Sequence, residues 1–336
     1  LPTANDPDLE DPVVPTKSFS VPFSIADLTM DPTQDLIIVS EFKDEAHDLI
    51  YRYHLLTMST FEPHPLASVP ILTFPTLDWI GSSRQLIQVM GDTVVIHVSC
   101  ENASGTWEDE IVAWNWKTGN VMGRIAIGRT AMACSFCMLT PTTIAVARPN
   151  LVRVRGDDDD IESIDGPAIL LISFTQRPKE SDGGQPPNAD DPTTPHAVEV
   201  TKLMMPPLID DVLVVNFHMR PDPAYPVRSA SDPTLGRGKP FTQDSTKGVV
   251  VSDFWLSHAV PFRSRFYELF MLRETLVEMA TDGEARLQKS WDGGEMFDTL
   301  SVPWSNWGEH NTRLMDHVQP NRRRWVSFAP GPRTNT

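Results

Sequence analysis

The sequence predicts an all-β chain, a β-propeller of irregular blades, on three observations. Short apolar runs come in pairs separated by turn residues. Ile50, Ile111 and Ile169 hold comparable places in such pairs, about sixty residues apart. Proline is abundant, 30 residues against 18 glycines, which favours many short elements and turns over long helices. The third observation is the stretch Asp109-Glu-Ile-Val-Ala-Trp-Asn-Trp-Lys-Thr-Gly-Asn-Val-Met-Gly-Arg-Ile-Ala-Ile127, which reads as strand, tight turn and strand.

In that stretch Ile111 and Ala113 alternate with Val112 and Trp114, so both faces are apolar, as in a strand buried between packed sheets. Gly119 suits the left-handed position that closes a short hairpin loop. Trp114 and Trp116, two residues apart on one face, bring a large apolar payload and read as core.

Taken in order, residues 1–19 are acidic and Pro-rich and read as a solvated tail, followed by a single propeller-like domain over 20–330. Residues 35–41 form a strand whose partner is 48–57, and Glu62-Pro63-His64-Pro65 is a turn by its prolines. Residues 84–90 and 93–99 flank Gly91-Asp92, a two-residue hairpin signal. Residues 143–147 and 168–174 make another pair around an acidic loop, 156–165. Residues 175–197 and 219–247 are polar, Pro-containing, flexible insertions. Residues 211–218 and 248–256 are strands by composition. In residues 265–280 a strand comes first and a short helix from 273 second, because Leu269, Leu272, Leu276 and Met279 fall at helical spacing. Val302-Pro-Trp-Ser-Asn-Trp307 reads as an aromatic turn, 324–328 as a last strand and 331–336 as a tail. A closed propeller needs its last strand paired back to the first blade. Either residues 18–23 supply that strand, or the chain stops before the propeller is complete.

The formal charge of −17 sets the chain against phosphate backbones, so nucleic acid is not an expected partner. Cys100, Cys134 and Cys137 are too few for a disulfide scaffold and fit a reducing compartment. No apolar run approaches the roughly 18 to 20 residues of a membrane span, and the first residues lack the basic and apolar regions of a signal peptide. The expected location is cytoplasmic or nuclear, with no membrane partner.

Five pieces carry a family resemblance: Asp31-Pro-Thr-Gln-Asp-Leu-Ile-Ile-Val39, Glu62-Pro-His-Pro-Leu-Ala67, Ile111-Val-Ala-Trp-Asn-Trp-Lys-Thr-Gly119, Glu268-Leu-Phe-Met-Leu-Arg273, and Val302-Pro-Trp-Ser-Asn-Trp-Gly308 with Asn311-Thr-Arg313. Together they resemble the region after the F-box in the large F-box-domain protein family of mushroom-forming fungi. The resemblance spans about residues 20–330, and its first and last tryptophan-containing pieces are the most specific. It implies a WD-like propeller that recruits a protein substrate to an SCF-type ubiquitin ligase. Leu1-Pro2 is followed by no amphipathic helix, so the resemblance implies Skp adaptor and cullin as partners only where an F-box lies upstream.

Among candidate sites, Cys134-Ser-Phe-Cys137 has C-x-x-C spacing, but it sits in an apolar segment without a second pair and reads as small buried cysteines. The carboxylates Asp157 to Asp160, with Glu162 and Asp165, lack the order of a calcium loop and read as solvated. Asn102-Ala-Ser104 matches a glycosylation acceptor, which without a signal peptide is chance. Nucleophile-elbow, H-E-x-x-H, P-loop and dinucleotide signatures are absent, so no catalytic residue, metal or cofactor is expected. Trp304 and Trp307, beside Pro303 and Gly308, are candidates for partner contact as well as for packing. The basic Arg322 and Arg323, in an acidic chain, are candidates for an acidic partner. The reading is a protein-interaction module with an unknown protein substrate. Its alternatives are an F-box-less scaffold and a propeller-fold hydrolase, the latter recognisable by acids or histidines converging on the axis.

Overall fold

Residues 18–45, 48–75, 83–101, 107–130, 134–155, 160–174, 198–206, 212–222, 248–258, 263–281, 287–289 and 301–317 are described by a computed structural model. They are mostly strand, with two α-helices, and form four sheets. The first sheet is a meander of β1 (Ile25–Asp31), β2 (Leu36–Glu45), β3 (Asp48–Thr57) and β4 (Ile71–Pro75). The second runs β5 (Ser83–Met90), β6 (Thr93–Glu101), β7 (Trp107–Asn115) and β8 (Val121–Thr130). The chain then starts the third sheet with β9 (Ser135–Thr140) and β10 (Thr143–Arg148). A hairpin, β11 (Leu151–Arg155) and β12 (Asp160–Asp165), returns to β8, and β13 (Ala168–Phe174) and β14 (Val198–Met204) then resume the third sheet. The fourth sheet takes β15 (Val212–Asp222), β16 (Val249–His258) and β17 (Arg263–Leu272), then helix α1 (Arg273–Thr281) follows. Short β18 (Leu287–Lys289) and β19 (Ser301–Val302) both pair with β14. Helix α2 (Trp304–Asn311) leads into β20 (Thr312–His317), the outer strand of the fourth sheet. Every pairing is antiparallel except the parallel contact of β14 with β19.

The sheets stack in chain order through three apolar layers. Leu36, Tyr53, Leu55 and Phe74 meet Val94, Ile96, Val112 and Trp114 between the first and second sheets. Val95, Ile111, Ile125 and Ile127 meet Phe136, Ile144, Leu170 and Ile172 between the second and third. Cys137, Ala145, Ile169 and Leu171 meet Phe217, Phe254, Leu269 and Trp307 between the third and fourth. The second and third sheets are thus covered on both faces, and their strands are unbroken apolar runs, such as Ile169-Leu-Leu-Ile172. In the first sheet Tyr51, Tyr53 and Leu55 are buried while Arg52, His54 and Leu56 are half-buried, the alternation of a strand with one covered face. The leading strands also neighbour one another: β1 lies against β5, β5 against β9, and β9 against β15.

The sixty-residue spacing is real at the level of sheets. Ile50 lies in β3, Ile111 in β7 and Ile169 in β13, each the third strand of its sheet in chain order. The hairpins at 35–57 and 84–99, the strand followed by helix at 265–280, and the left-handed Gly119 (φ 76°) are present as the sequence predicts.

Four expectations need correction. Residues 302–307 are not a turn: Pro303, with extended backbone (φ −66°, ψ 152°), starts α2. Residues 160–165 of the acidic loop form β12, because the backbone of β11 gives them ladder partners that composition does not reveal. Residues 219–222 belong to β15 and not to an insertion, since they complete the ladder to β16 as far as Asp222 paired with Val249. Residues 18–23 supply no closing strand; instead Phe19 stacks on Phe61 and Phe23 on His54, at 4.7 and 4.3 Å between ring centres. Among the described residues no sheet combines strands from both ends of the chain. The insertions at 175–197 and 223–247, the strand at 324–328 and the tail at 331–336 lie outside the described residues.

Candidate functional site: a cavity where the leading strands meet

The leading strands β5, β9 and β15 enclose a cavity of about 390 Å³. Its walls follow from strand alternation. On β5, Ile87 and Val89 face the first sheet, while Leu86 and Met90 face the third. The two glutamines of β5 join the sheets on either side. Gln85 Oε1 accepts from Ser40 Oγ at 3.0 Å and Tyr53 OH at 3.3 Å, towards the first sheet. Gln88 donates Nε2–H to the Phe136 carbonyl at 3.0 Å and accepts from Met138 N–H at 2.9 Å, towards the third. On β15, Met219 donates its backbone N–H to Ser135 Oγ at 3.2 Å, joining the fourth sheet to the third. These polar contacts lock the strands that line the cavity.

Behind the wall lies a buried polar cluster. His97 and Ser99 point from β6 to the third-sheet side, and Ser99 stands opposite Asp109 across the ladder. His97 Nε2 contacts Asp109 Oδ1 at 2.7 Å, and both side chains are almost fully buried. Asp109 also accepts from the Cys134 N–H at 3.1 Å and from Thr130 Oγ1 at 3.0 Å. Burial by itself would raise the Asp109 pKa; the hydrogen bond and charge of His97 outweigh it and hold the carboxyl below its ordinary value. Ser99 is buried beside this carboxylate.

At the mouth, the Arg84 guanidinium lies 4.9 Å over the Trp107 ring. Arg220 pairs with Asp253 at 2.6 Å and with Glu268 at 3.4 Å. Burial raises the Asp253 pKa, which the Arg220 charge opposes, and burial lowers that of His218, which Asp253 opposes and Arg84 reinforces.

The residues singled out in the sequence lie elsewhere. Trp307 is 1% exposed in the third layer and donates its indole N–H to the Met204 carbonyl at 2.8 Å, so it packs and presents no surface. Trp304 is half-buried, edge-on to Trp307 at 5.0 Å. Trp114 and Trp116 are both buried in the first layer. Arg322 and Arg323 lie outside the described residues, as do Asn102 and Asp157 to Asp159. Cys134 and Cys137 pack into different layers, the second and the third, so the C-x-x-C pair does not converge on one ligand. Burial raises both thiols, that of Cys137 to about 12, and Cys100 likewise reaches about 12. Among the described residues no three His, Cys, Asp or Glu side chains are placed to hold a metal ion, and no helix is long and apolar enough to cross a membrane.

The cavity was not legible beforehand because its residues come from four strands. One signal was available: His97 interrupts the apolar run Val94-Val-Ile-His-Val98, and a polar side chain inside a strand covered on both faces requires a buried partner. Comparison with protein-family models, curated proteins and solved structures finds no match in any of the three.

Proposed function

We propose that the chain is a β-propeller-type protein-interaction module that engages its partner at the cavity between the leading strands. Four blade-like sheets, three of them led by strands that line the cavity, support the propeller reading. The observation that carries the interaction reading is the cavity itself: apolar walls from Leu86, Met219 and Pro221 beside polar groups from Arg84, Ser99 and His218. The resemblance to the post-F-box region of the mushroom-fungal family extends this proposal. The partner is then a protein substrate, and an upstream F-box supplies the Skp and cullin contacts.

Affinity purification of the endogenous full-length product, with mass spectrometry of its companions and its own N-terminal peptides, tests both parts. Upstream F-box peptides with Skp and cullin subunits are the expected result; a product beginning near Leu1 without them rejects the ligase role and leaves a scaffold. His218→Trp, at an exposed position on the cavity wall, is expected to remove the substrate companion. A companion set unchanged by that substitution rejects the cavity as the contact site. The hydrolase alternative rests on the His97–Asp109 pair beside Ser99 and Ser135. Its serine-nucleophile form is dismissed if a fluorophosphonate probe labels neither serine.

A further inference from the structure

The two end sheets of the stack each turn one face away from the apolar layers, and the two faces differ. On the first sheet a segment of chain lies against that face. Phe23 stacks on His54 at 4.3 Å, and Val39, opposite His54 in the ladder, is fully buried. On the fourth sheet, Leu269 and Met271 turn into the third layer, so Phe266, Glu268, Phe270 and Leu272 turn outward. Asp253 and Trp255 on β16, with Arg313 and Met315 on β20, stand opposite them in the ladders and share that face. None of these outward residues belongs to an apolar layer, and Trp255, Leu272 and Met315 are 41%, 52% and 49% exposed. Charge crosses the face in rows. Asp253 and Glu268 lie side by side, and the next row, one step along the strands, holds Arg220 and Arg313. These two acids and two arginines balance, although the chain as a whole carries −17. Arg220 pairs with both acids, whereas Arg313 donates to the Thr312 carbonyl and makes no ion pair among the described residues.

We propose that the outward face of the fourth sheet is covered by the same face of a second copy of this chain. The two sheets stack about a two-fold axis that lies in the interface and runs across the strands. A two-fold contact needs a surface complementary to itself, and the rows provide one. That axis sets the acid row of each copy over the arginine row of the other, with Arg313 within reach of the partner's Glu268. It also sets Phe266 of each copy on the partner's Leu272, so the contact repeats the apolar sheet-on-sheet packing inside the chain. Acidic surface elsewhere on a chain of −17 repels a second copy, which leaves the charge-balanced face as the place of contact. The area is adequate. Four strands about 4.8 Å apart, rising about 3.4 Å per residue, give a face on the order of 600 Å², near the roughly 800 Å² per partner of a standard interface.

Trp255, Glu268, Arg313 and Met315 do not line the cavity, so this contact is tested apart from the cavity reading. Sedimentation velocity of the full chain over rising concentration is expected to show a species of twice the chain's mass. Trp255→Glu or Met315→Glu is expected to weaken that dimer by about a hundredfold, because each buries an unpaired carboxylate at two symmetric places. Leu28→Glu, at a comparably exposed leucine on β1 of the first sheet, is expected to leave the dimer unchanged. Arg313→Glu and Glu268→Arg are each expected to lose the dimer alone and to regain it when mixed in equal amounts. Only the mixed pair has opposite charges at both symmetric contacts, and residues needed merely for folding would not recover on mixing. Circular dichroism of each variant reads the fold separately. A monomer at every concentration, a dimer indifferent to Trp255→Glu and Met315→Glu, or no recovery on mixing overturns the proposal. Loss of the dimer with Leu28→Glu also overturns it, and points instead to the first sheet of one copy seated on the fourth of the other.

Discussion

Asp109 and His97 are each other's reason for being in the core. A carboxylate buried without a partner would take up a proton, yet Asp109 is held below its ordinary value of 3.8 because the hydrogen bond and charge of His97, helped by the Cys134 N–H, outweigh its burial. Removing one member of a buried pair typically costs about 3–5 kcal/mol, so Asp109→Asn is expected to destabilise by that order at pH 7. The sign with pH follows from the lowered folded-state value. The stabilisation is complete above 3.8 and is lost as pH falls from there through the folded-state pKa. Urea unfolding of the two proteins from pH 7 to pH 3 is expected to show the gap closing only in acid; a gap constant with pH would contradict an ionised Asp109 carboxylate. Gly119 makes a second residue-scale case. Its φ is 76°, and an added Cβ would come within 2.5 Å of Val69. Gly119→Ala is expected to cost about 1–3 kcal/mol in denaturant titration, because strain and overlap act together. The left-handed glycine was legible from Lys-Thr-Gly between two strands. The Val69 contact was not, because Val69 reaches it from the preceding sheet's connection.

Among the elements, α2 shows why Val-Pro-Trp-Ser-Asn-Trp-Gly misleads when read locally. Proline and glycine punctuate turns, yet here Pro303 opens a helix and Gly308 lies inside it. The reason is contact: the Trp304 ring occupies the space where a Cβ at Gly308 would stand. Trp307, on another side of the helix, drops into the third layer and fixes α2 to β14 through Met204. Alanine raises helix propensity by about 1 kcal/mol over glycine, so a local view predicts that Gly308→Ala stabilises. We expect net destabilisation of about 1–3 kcal/mol in thermal or urea unfolding, because the Trp304 ring must move; a stabilised variant would show that the ring contact carries no weight. The strands were more legible. The apolar run Ile111-Val-Ala-Trp114 marked a strand covered on both faces, because burial pattern depends on side-chain direction, whereas the one-sided cover of the first sheet shows only in the structure. The β11–β12 hairpin was hidden because its partner, β8, precedes it by a whole change of sheet.

Across the whole molecule, each sheet owes its buried face to the next, so no sheet is independent of its neighbour. Far-UV circular dichroism is expected to be dominated by strand, and a helical spectrum would refute the fold. Hydrogen exchange in rising urea is expected to unprotect β3 and β17 at the same midpoint, because the three layers couple the first sheet to the fourth. Separate midpoints would mean that the stack unfolds sheet by sheet, as repeat arrays do. The amino-acid sequence by itself determined the strand-rich class, the recurring unit, the hairpins and the buried tryptophans, since each depends on periodicity, turn chemistry or composition within a few residues of chain. Only the tertiary structure decided which sheets touch, that Trp307 is core, and that Arg84, Ser99, His97 and Asp109 gather at one cavity. Those relations join residues on separate strands, and sheet packing sets them without leaving a local mark.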